Sequence, residues 1–410
     1  MKTLFTNIKG LYGIYDAAPA FKRGNQMLEL PSIQGAYLLI DDGVISDFGT
    51  MSNCPDRADA TLDCTGKYVL PSWADSHTHI VFAGSREGEY IQRIQGVSYE
   101  EIAAAGGGIL NSANQLGSTD EEQLYEAAAR RLEEVMAMGT GAIEIKSGYG
   151  LTFDSELKML RVIRRLKENY ALPIKSTFLG AHAIPTAYKD DRAGYISEVV
   201  DRMLPIVADQ GLADYIDVFC DEGFFTVDET AVIMDAGAKY GLKAKIHANE
   251  LANSGGVQIG VAHDAVSVDH LEQIEEAEIA ALMNSSTIPT VLPSVSFFLN
   301  IRYAPARQMI DSGLGLAIAS DYNPGSSPSG NVPFLISLAC NKMKLHPHEA
   351  INAATINGAH AMEVGHLTGS ITRGMLGNVI VTKALPSLDF LPYAFGSNHI
   401  DAAYVKGQRV

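Results

Sequence analysis

Two histidines one residue apart, His77 and His79, end an apolar segment that begins at Val69. In an extended chain, side chains two residues apart point to the same side. Both imidazoles can therefore offer a ring nitrogen to one point in space, and imidazole is a common ligand of zinc, iron, copper and nickel. The same two histidines could also lie in a surface loop, so the surrounding elements must show whether they form a metal site.

Apolar runs of strand type alternate with helical patterns through most of the chain, and ionisable residues close almost every run. The eight runs are residues 68–70, 142–145, 174–179, 215–219, 242–246, 265–268, 288–292 and 314–319. Helical periodicity lies between most of them, for example at 121–138, 155–168, 197–209, 227–240 and 275–283. Eight repeats predict an α/β fold, a closed TIM-like (β/α)8 barrel. An open doubly wound sheet is less favoured, because its site gathers mainly at one switch point.

Short strands and turns dominate both ends of the chain. Residues 36–40 and 44–49 flank an Asp-Gly turn and predict a hairpin. Residues 377–381 and 400–405 have the same strand character. We therefore predict a small β-sandwich domain formed from both chain ends. Its parts are residues 1–64 and 366–410, and they flank a barrel domain of residues 65–365.

Side chains at the carboxyl ends of barrel strands share one pocket. In the predicted barrel this pocket holds several histidines and carboxylates, which come from several different runs. Three imidazoles and a carboxylate suit zinc or iron. The predicted metal ligands are His77, His79, His247 and Asp321. We expect one Zn²⁺ or Fe³⁺ ion per subunit.

His270 and Glu250 are then left as unligated acid–base groups in the same pocket. A bound metal ion lowers the pKa of water to about 7, so hydroxide is available at neutral pH. A nearby imidazole or carboxylate can move the protons. Glu250 also has a structural alternative, as a residue at the start of a helix.

Two other features are less informative. His346-Pro347-His348 repeats the spacing of the metal pair, but no apolar strand precedes it and the proline predicts a helix start. Lys146 follows the second run, where it suits a bridging lysine for a second metal, a pocket cation or a surface strand end.

The chain has 410 residues, 47% of them hydrophobic, and a formal net charge of −17. This balance argues against nucleic acid or an anionic membrane as a partner. Four widely spaced cysteines, no signal-peptide core and no long apolar run predict a cytoplasmic protein without a membrane helix. A homodimer is the default expectation. An anionic substrate would need a cation in its pocket.

Several stretches together resemble the amidohydrolase superfamily, and most closely its imidazolonepropionase family of histidine degradation. They are residues 77–86, 146–150, 179–182, 245–250, 269–272, 320–326 and 392–399. The His-x-His pair, the later histidines and the aspartate carry the resemblance to the superfamily. Three stretches narrow the resemblance from the superfamily to the imidazolonepropionase family: Gly-Ser-Arg, Ser-Gly-Tyr-Gly and Asn-Pro-Gly-Ser. The resemblance implies the amidohydrolase type of barrel.

The resemblance also implies a reaction, the hydrolysis of 4-imidazolone-5-propanoate to N-formimidoyl-L-glutamate. Metal-bound hydroxide would attack the ring carbonyl, with His270, Glu250 and Asp321 as the catalytic residues. The residues that would contact this small anionic cyclic substrate are Arg86, Tyr149, His182 and Glu250. Those that would contact the product are Asn323, Gly325 and Ser326.

The residue types agree with that chemistry. Arg86 offers a bidentate partner to a propanoate carboxylate, which supplies the cation that the acidic chain requires. The division of proton transfers among His270, Glu250 and Asp321 stays open at this level. Deamination of a cyclic base is an alternative reaction, because such deaminases share the His247-x-x-Glu250 pair. A barrel kept only as a non-catalytic assembly module would have eroded ligands, and here they are all present.

Overall fold

The computed structural model describes residues 1–97, 101 and 106–410. The strands of the N-terminal part are β1 Lys2–Tyr12, β2 Ile14–Tyr15, β3 Ser32–Asp41, β4 Val44–Thr50, β5 Ala60–Asp63 and β6 Lys67–Pro71. The central strands are β7 Trp73–Asp75, β8 Thr140–Lys146, β9 Ile174–Ala181, β10 Tyr215–Cys220, β11 Lys243–Ala248, β12 Ser267–His270, β13 Ile288–Val291 and β14 Ala317–Ile318. The C-terminal strands are β15 Ile371–Thr372, β16 Val379–Ala384, β17 Ile400–Val405 and β18 Gln408–Arg409.

Helices lie in the connections between the central strands, and further helices follow β14. In the first half of the chain they are α1 Glu87–Ile94, α2 Ile109–Ser118, α3 Glu121–Ala137, α4 Phe153–Asn169, α5 Arg192–Ser197, a π-helical turn Glu198–Met203 and α6 Leu204–Asp209. In the second half they are α7 Val227–Lys239, α8 Gly256–Ala262, α9 Glu276–Met283, α10 Pro293–Leu299, α11 Ala306–Asp311, α12 Val332–Met343, α13 Pro347–Ala354, α14 Ile356–Ala361 and α15 Phe390–Tyr393. Short 3₁₀ turns lie at Gly24–Leu28, Met51–Asn53 and Thr186–Tyr188.

Helix α3 shows how the sequence sets these elements. The Asp120 side chain accepts a hydrogen bond from the N–H of Gln123 at 2.8 Å and caps the helix. Leu124, Ala128 and Leu132 recur every four residues and are buried on one face. The helix therefore packs that face on the barrel.

The central strands form one parallel sheet in the order β7 to β14. The sheet closes between its first and last strands. Asp321 N donates to His77 O at 2.9 Å, and His79 N donates to Tyr322 O at 3.0 Å. The predicted (β/α)8 barrel is confirmed, and the open sheet is excluded. The bonds that close the barrel run through predicted metal ligands.

The first barrel strand is not the one that the sequence predicts. Residues 68–70 lie in β6, which pairs with β1 and β16 in the sheet of the chain ends. The barrel begins instead at β7, whose Trp73 N donates to Gly139 O at 2.9 Å. The prediction was wrong because the apolar run is continuous, and only pairing partners show that the chain changes sheets near Ser72.

The chain ends share a mixed sheet in the order β18-β17-β16-β6-β1-β3-β4, with β5 beside β1. The predicted Asp-Gly hairpin is confirmed, with both turn residues at positive φ. Phe5, Leu38, Val381 and Tyr404, from both ends of the chain, share one apolar core. The predicted small β-domain is thus confirmed, while its boundaries at residues 64 and 366 stay a prediction.

The second His-x-His sequence starts a helix. His346 N donates to Glu349 Oε2 at 2.7 Å, and His346 Nδ1 accepts from His348 N at 3.2 Å, which caps α13. This agrees with the helix start expected there. Among the helices of the described residues, none has both the length and the apolar character needed to cross a bilayer.

Candidate active site

A cavity of about 590 Å³ opens at the carboxyl ends of the barrel strands. Most of the predicted site residues line it together, although they come from distant parts of the chain. These are His79, Arg86, Tyr149, His182, His247, Glu250, His270, Asp321, Asn323, Gly325 and Ser326. His77 is fully buried beside His247, with the two ring centroids 4.5 Å apart. The structure therefore brings all the predicted residues to one place.

Three histidines at the cavity floor have the arrangement of a metal site. One ligand atom from each of His77, His79 and His247 lies within 4.8 Å of the others. The Nε2 atoms of His77 and His247 are buried and have no hydrogen-bond partner among the described residues. Orphaned buried nitrogens are costly unless something binds them. A metal ion held by these nitrogens fits this donor set.

Asp321 completes the donor set. Its Oδ1 lies 3.4 Å from His77 Nε2 and 3.3 Å from His79 Nε2. Burial acts to raise the pKa of this carboxyl, but the two imidazoles beside it hold the pKa well below its usual range. Asp321 is thus a carboxylate at neutral pH, as a metal ligand must be.

Carboxylates beneath the histidines orient their rings. Asp269 Oδ2 lies 2.7 Å from His77 Nδ1, and Asp217 Oδ1 lies 3.1 Å from His247 Nδ1. A carboxylate on Nδ1 directs Nε2 towards a metal and increases its basicity. The sequence prediction did not include Asp217. The sequence contains one signal for a special role of Asp217, because it is an acidic residue inside an otherwise apolar strand.

Lys146 connects the two orienting carboxylates. Its Nζ lies 2.8 Å from Asp217 Oδ2, 3.6 Å from Asp269 Oδ2 and 2.7 Å from Glu144 Oε1. Glu144 also pairs with Lys245. All these side chains are fully buried inside the barrel or nearly so. Lys146 is therefore neither a surface residue nor aimed at the substrate cavity, and the carboxylates around it leave no place for a bridging role.

His270 stands beside two glutamates at one side of the cavity. Its Nδ1 lies 3.5 Å from Glu250 Oε2 and 3.7 Å from Glu272 Oε2. Burial lowers the pKa of His270 to about 3 and raises that of Glu250 well above its ordinary value. The imidazole is therefore neutral at pH 7. Glu272 is a buried neighbour that the sequence prediction missed.

Backbone strain marks the same strand ends. His270 and Leu271 have φ of +83° and +72°, and Asp321 has φ of +51°. Residues other than glycine rarely adopt these angles, and the residues that do so cluster at active sites. These backbone angles turn the side chains of His270 and Asp321 into the cavity at the end of a regular strand.

Guanidinium groups also line the cavity. Arg86 Nε and Nη2 donate to Glu89 Oε2 at 2.8 and 2.6 Å. Arg93, which the sequence prediction did not include, also lines the cavity and donates to Gly325 O at 3.3 Å. Two guanidinium groups are therefore present at the cavity, and the charge of Arg86 is paired with Glu89.

Tyr149 and His182 occupy the side of the cavity next to the metal ligands. His182 Nδ1 lies 2.9 Å from Gly148 O, and its ring stacks on His79 with centroids 5.5 Å apart. Burial lowers the pKa of His182 to about 3, so this imidazole is neutral. Tyr149 is buried, with its ring edge-on to His182.

Asn323 ties the loop after β14 to Asp321. Its Nδ2 donates to Asp321 Oδ2 at 2.8 Å and to Ser326 Oγ at 2.7 Å. Its Oδ1 accepts from Gly325 N at 2.7 Å and Ser326 N at 2.8 Å. These bonds shape the loop, and the predicted contact of the loop with the product stays a prediction.

Comparisons with known proteins agree with the barrel fold. The model of the amidohydrolase family matches residues 68–410. The imidazolonepropionases of Christiangramia forsetii and Flavobacterium johnsoniae are each 55% identical to the chain, over 411 and 409 residues, and the alignments cover 100% of both chains.

The fold is also that of a solved structure, atrazine chlorohydrolase from Arthrobacter aurescens complexed with zinc. The TM-score is 0.73 at 15% identity, and the match covers 99% of this chain and 94% of that one. The chain therefore belongs to the amidohydrolase family, in which these full-length relatives are imidazolonepropionases.

Proposed function

We propose that the chain hydrolyses 4-imidazolone-5-propanoate to N-formimidoyl-L-glutamate. The observation that carries the proposal is a single cavity that combines a buried donor set of three histidines and an aspartate with Arg86. The first suits hydrolysis and the second suits a carboxylate tail. Two relatives of the same length, each 55% identical, are imidazolonepropionases.

His77, His79, His247 and Asp321 are the proposed ligands of one Zn²⁺ or Fe³⁺ ion. When bound, the metal supplies a Lewis acid that makes water nucleophilic at neutral pH. The atrazine chlorohydrolase that shares the fold is complexed with zinc, which supports a metal ion in this chain. Orientation by Asp217 and Asp269 keeps His247 and His77 pointing at the ion.

Arg86 is proposed to bind the propanoate group. Its Nε and Nη2 already engage Glu89, while its Nη1 lies against Gly325, where an added Cβ would sit only 2.2 Å away. A glycine at this position leaves room for the guanidinium group itself. Tyr149 and His182 are proposed to hold the ring between Arg86 and the metal ligands.

The reaction adds water across the ring amide. A water oxygen bonds to the carbonyl carbon, the bond from that carbon to the ring nitrogen breaks, and the nitrogen gains a proton. Asp321 is placed to accept the proton of the attacking water, and Glu250 can donate to the ring because its pKa is raised. Neutral His270 can hydrogen-bond the attacking water or the oxyanion that forms.

Turnover of the named substrate tests the proposal. Freshly prepared imidazolone propanoate is offered to the metal-loaded protein, and loss of its ultraviolet absorbance is followed with and without a chelator. We expect loss that depends on the metal and releases no ammonia. An unchanged spectrum would refute the reaction, and release of ammonia would indicate deamination instead.

A further inference from the structure

Glu156, a buried carboxylate outside the cavity, holds the loop that carries Tyr149. It lies in the first turn of α4, and its side chain is fully buried. The carboxylate accepts hydrogen bonds from the backbone N–H groups of Gly148 at 3.0 Å, Gly150 at 2.7 Å and Leu151 at 3.0 Å. Each bond is strengthened by the negative charge, so the three together fix the path of the loop.

The other side of the same loop faces the site. Gly148 donates its N–H to Glu156, and its carbonyl oxygen lies 2.9 Å from His182 Nδ1. A proton on Nδ1 that donates to this carbonyl leaves Nε2 as the acceptor nitrogen of His182. The carbonyl of Ser147 lies 3.4 Å from His79 Nδ1. The loop therefore orients two imidazoles of the cavity.

The loop needs an external anchor because its backbone is unfavourable. Leu151 has φ of +54°, a backbone conformation that leucine rarely adopts. At Gly150 an added Cβ would lie 2.4 Å from the backbone nitrogen of Glu156, so only glycine permits this close approach to the helix. A chain without the carboxylate would lose the bonds that offset this cost.

We propose that Glu156 is a positioning residue for substrate binding, which acts by fixing the loop of residues 147–151 and through it Tyr149 and the tautomer of His182. This role rests on the proposed function, because Tyr149 and His182 are the proposed ring contacts. The Ser147 hydroxyl, which accepts from Leu179 N at 2.9 Å, also hydrogen-bonds the carboxylate and joins it to β9.

Substitution Glu156→Gln tests the role, because the amide keeps the size but replaces one acceptor oxygen by a donor. We expect KM for imidazolone propanoate to rise about tenfold, with a smaller fall in kcat and an unchanged ratio of bound metal. Glu168→Gln is the matched control. It makes the same change at an exposed position of the same helix and leaves KM unchanged.

A double-mutant cycle separates positioning from general destabilisation. If Glu156 acts through His182, Glu156→Gln combined with His182→Asn lowers kcat/KM by clearly less than the product of the two single effects. Ser147→Ala removes one donor to the carboxylate and gives a smaller rise in KM. That variant carries the test if Glu156→Gln does not fold.

Specific results would overturn the role. One is an unchanged KM in both Glu156→Gln and Ser147→Ala. Another is a rise in KM in Glu168→Gln equal to that in Glu156→Gln. The third is a double-mutant cycle in which the effects of Glu156→Gln and His182→Asn on kcat/KM are independent. A wild-type protein that leaves imidazolone propanoate intact would refute the proposed function itself. Active wild type with unaffected variants would refute only the role of Glu156.

Discussion

Single side chains at the cavity carry two proposed roles, metal binding and binding of the substrate carboxylate. For the first role, ring nitrogens of His77 and His247 are buried without a hydrogen-bond partner among the described residues, so the site favours an ion. For the second role, Arg86 combines charge with a planar fork of donors. We therefore expect substitution of Arg86 to affect substrate binding, and substitution of a residue beside the proposed metal ligands to affect the chemical step.

Arg86→Lys tests the binding of the substrate carboxylate. Lysine keeps the charge but loses the bidentate geometry, so we expect KM to rise about 10-fold or more while kcat changes little. Steady-state kinetics with imidazolone propanoate measure this, and Arg57→Lys at an exposed position is the control. A fall in kcat alone would contradict a binding role for Arg86.

His270→Ala tests the chemical step. His270 is neutral and lies beside Glu250 and the metal ligands, so its loss should lower kcat about 10²–10⁴-fold with the bound metal retained. Metal analysis and kcat are measured on the same preparation. Full turnover in this variant would remove His270 from the mechanism.

At the scale of elements, strands β8, β10, β11 and β12 place a charged layer beneath the metal ligands. Lys146 from β8 meets Asp217 from β10 and Asp269 from β12. These carboxylates orient His247 and His77, so one lysine connects both proposed metal ligands with three strands. Removing one partner from a buried charge network leaves the others uncompensated.

Lys146→Met should therefore affect both stability and metal binding. We expect the free energy of unfolding to fall by about 3–5 kcal/mol, and metal affinity to fall about 10–100-fold. Denaturant unfolding and competition with a chelator measure the two effects. Lys239→Met, at an exposed lysine of α7, is the control and should change neither strongly. Unchanged metal affinity in Lys146→Met would contradict the connecting role.

At the scale of the whole molecule, charged groups at the end of the barrel opposite the cavity contribute to stability. Asp214 accepts from Ser176 N at 2.9 Å and pairs with Lys167 and Lys175 at 3.2 and 3.3 Å. Burial acts to raise the pKa of Asp214, but these donors hold it below its ordinary value. Ionised Asp214 is therefore favoured in the folded state.

Asp214→Asn should lower stability near neutral pH and not in acid. A depressed pKa in the folded state gives stability that is present above the unfolded pKa and is lost as pH falls through the folded pKa. We expect a loss of about 1.5 kcal/mol at pH 7 that shrinks below about pH 4. Urea unfolding across this range measures it. A loss independent of pH would contradict the ionic origin.

The sequence by itself determined the repeating pattern and the chemistry of the strand ends. Each barrel repeat is local, so the apolar runs, the helices and the residues that follow each run can be read in order. The ligand set and Arg86 follow from this rule together with the family resemblance. The homodimer and the cytoplasmic location stay predictions.

Tertiary structure alone decided which partners the runs and the buried charges find. Residues 68–70 pair with strands from both chain ends, and no local signal shows that the barrel starts after them. Asp217 and Asp269 become orienting carboxylates only because strand register places them under His247 and His77. Such roles depend on distances across the barrel, which spacing along the chain does not encode.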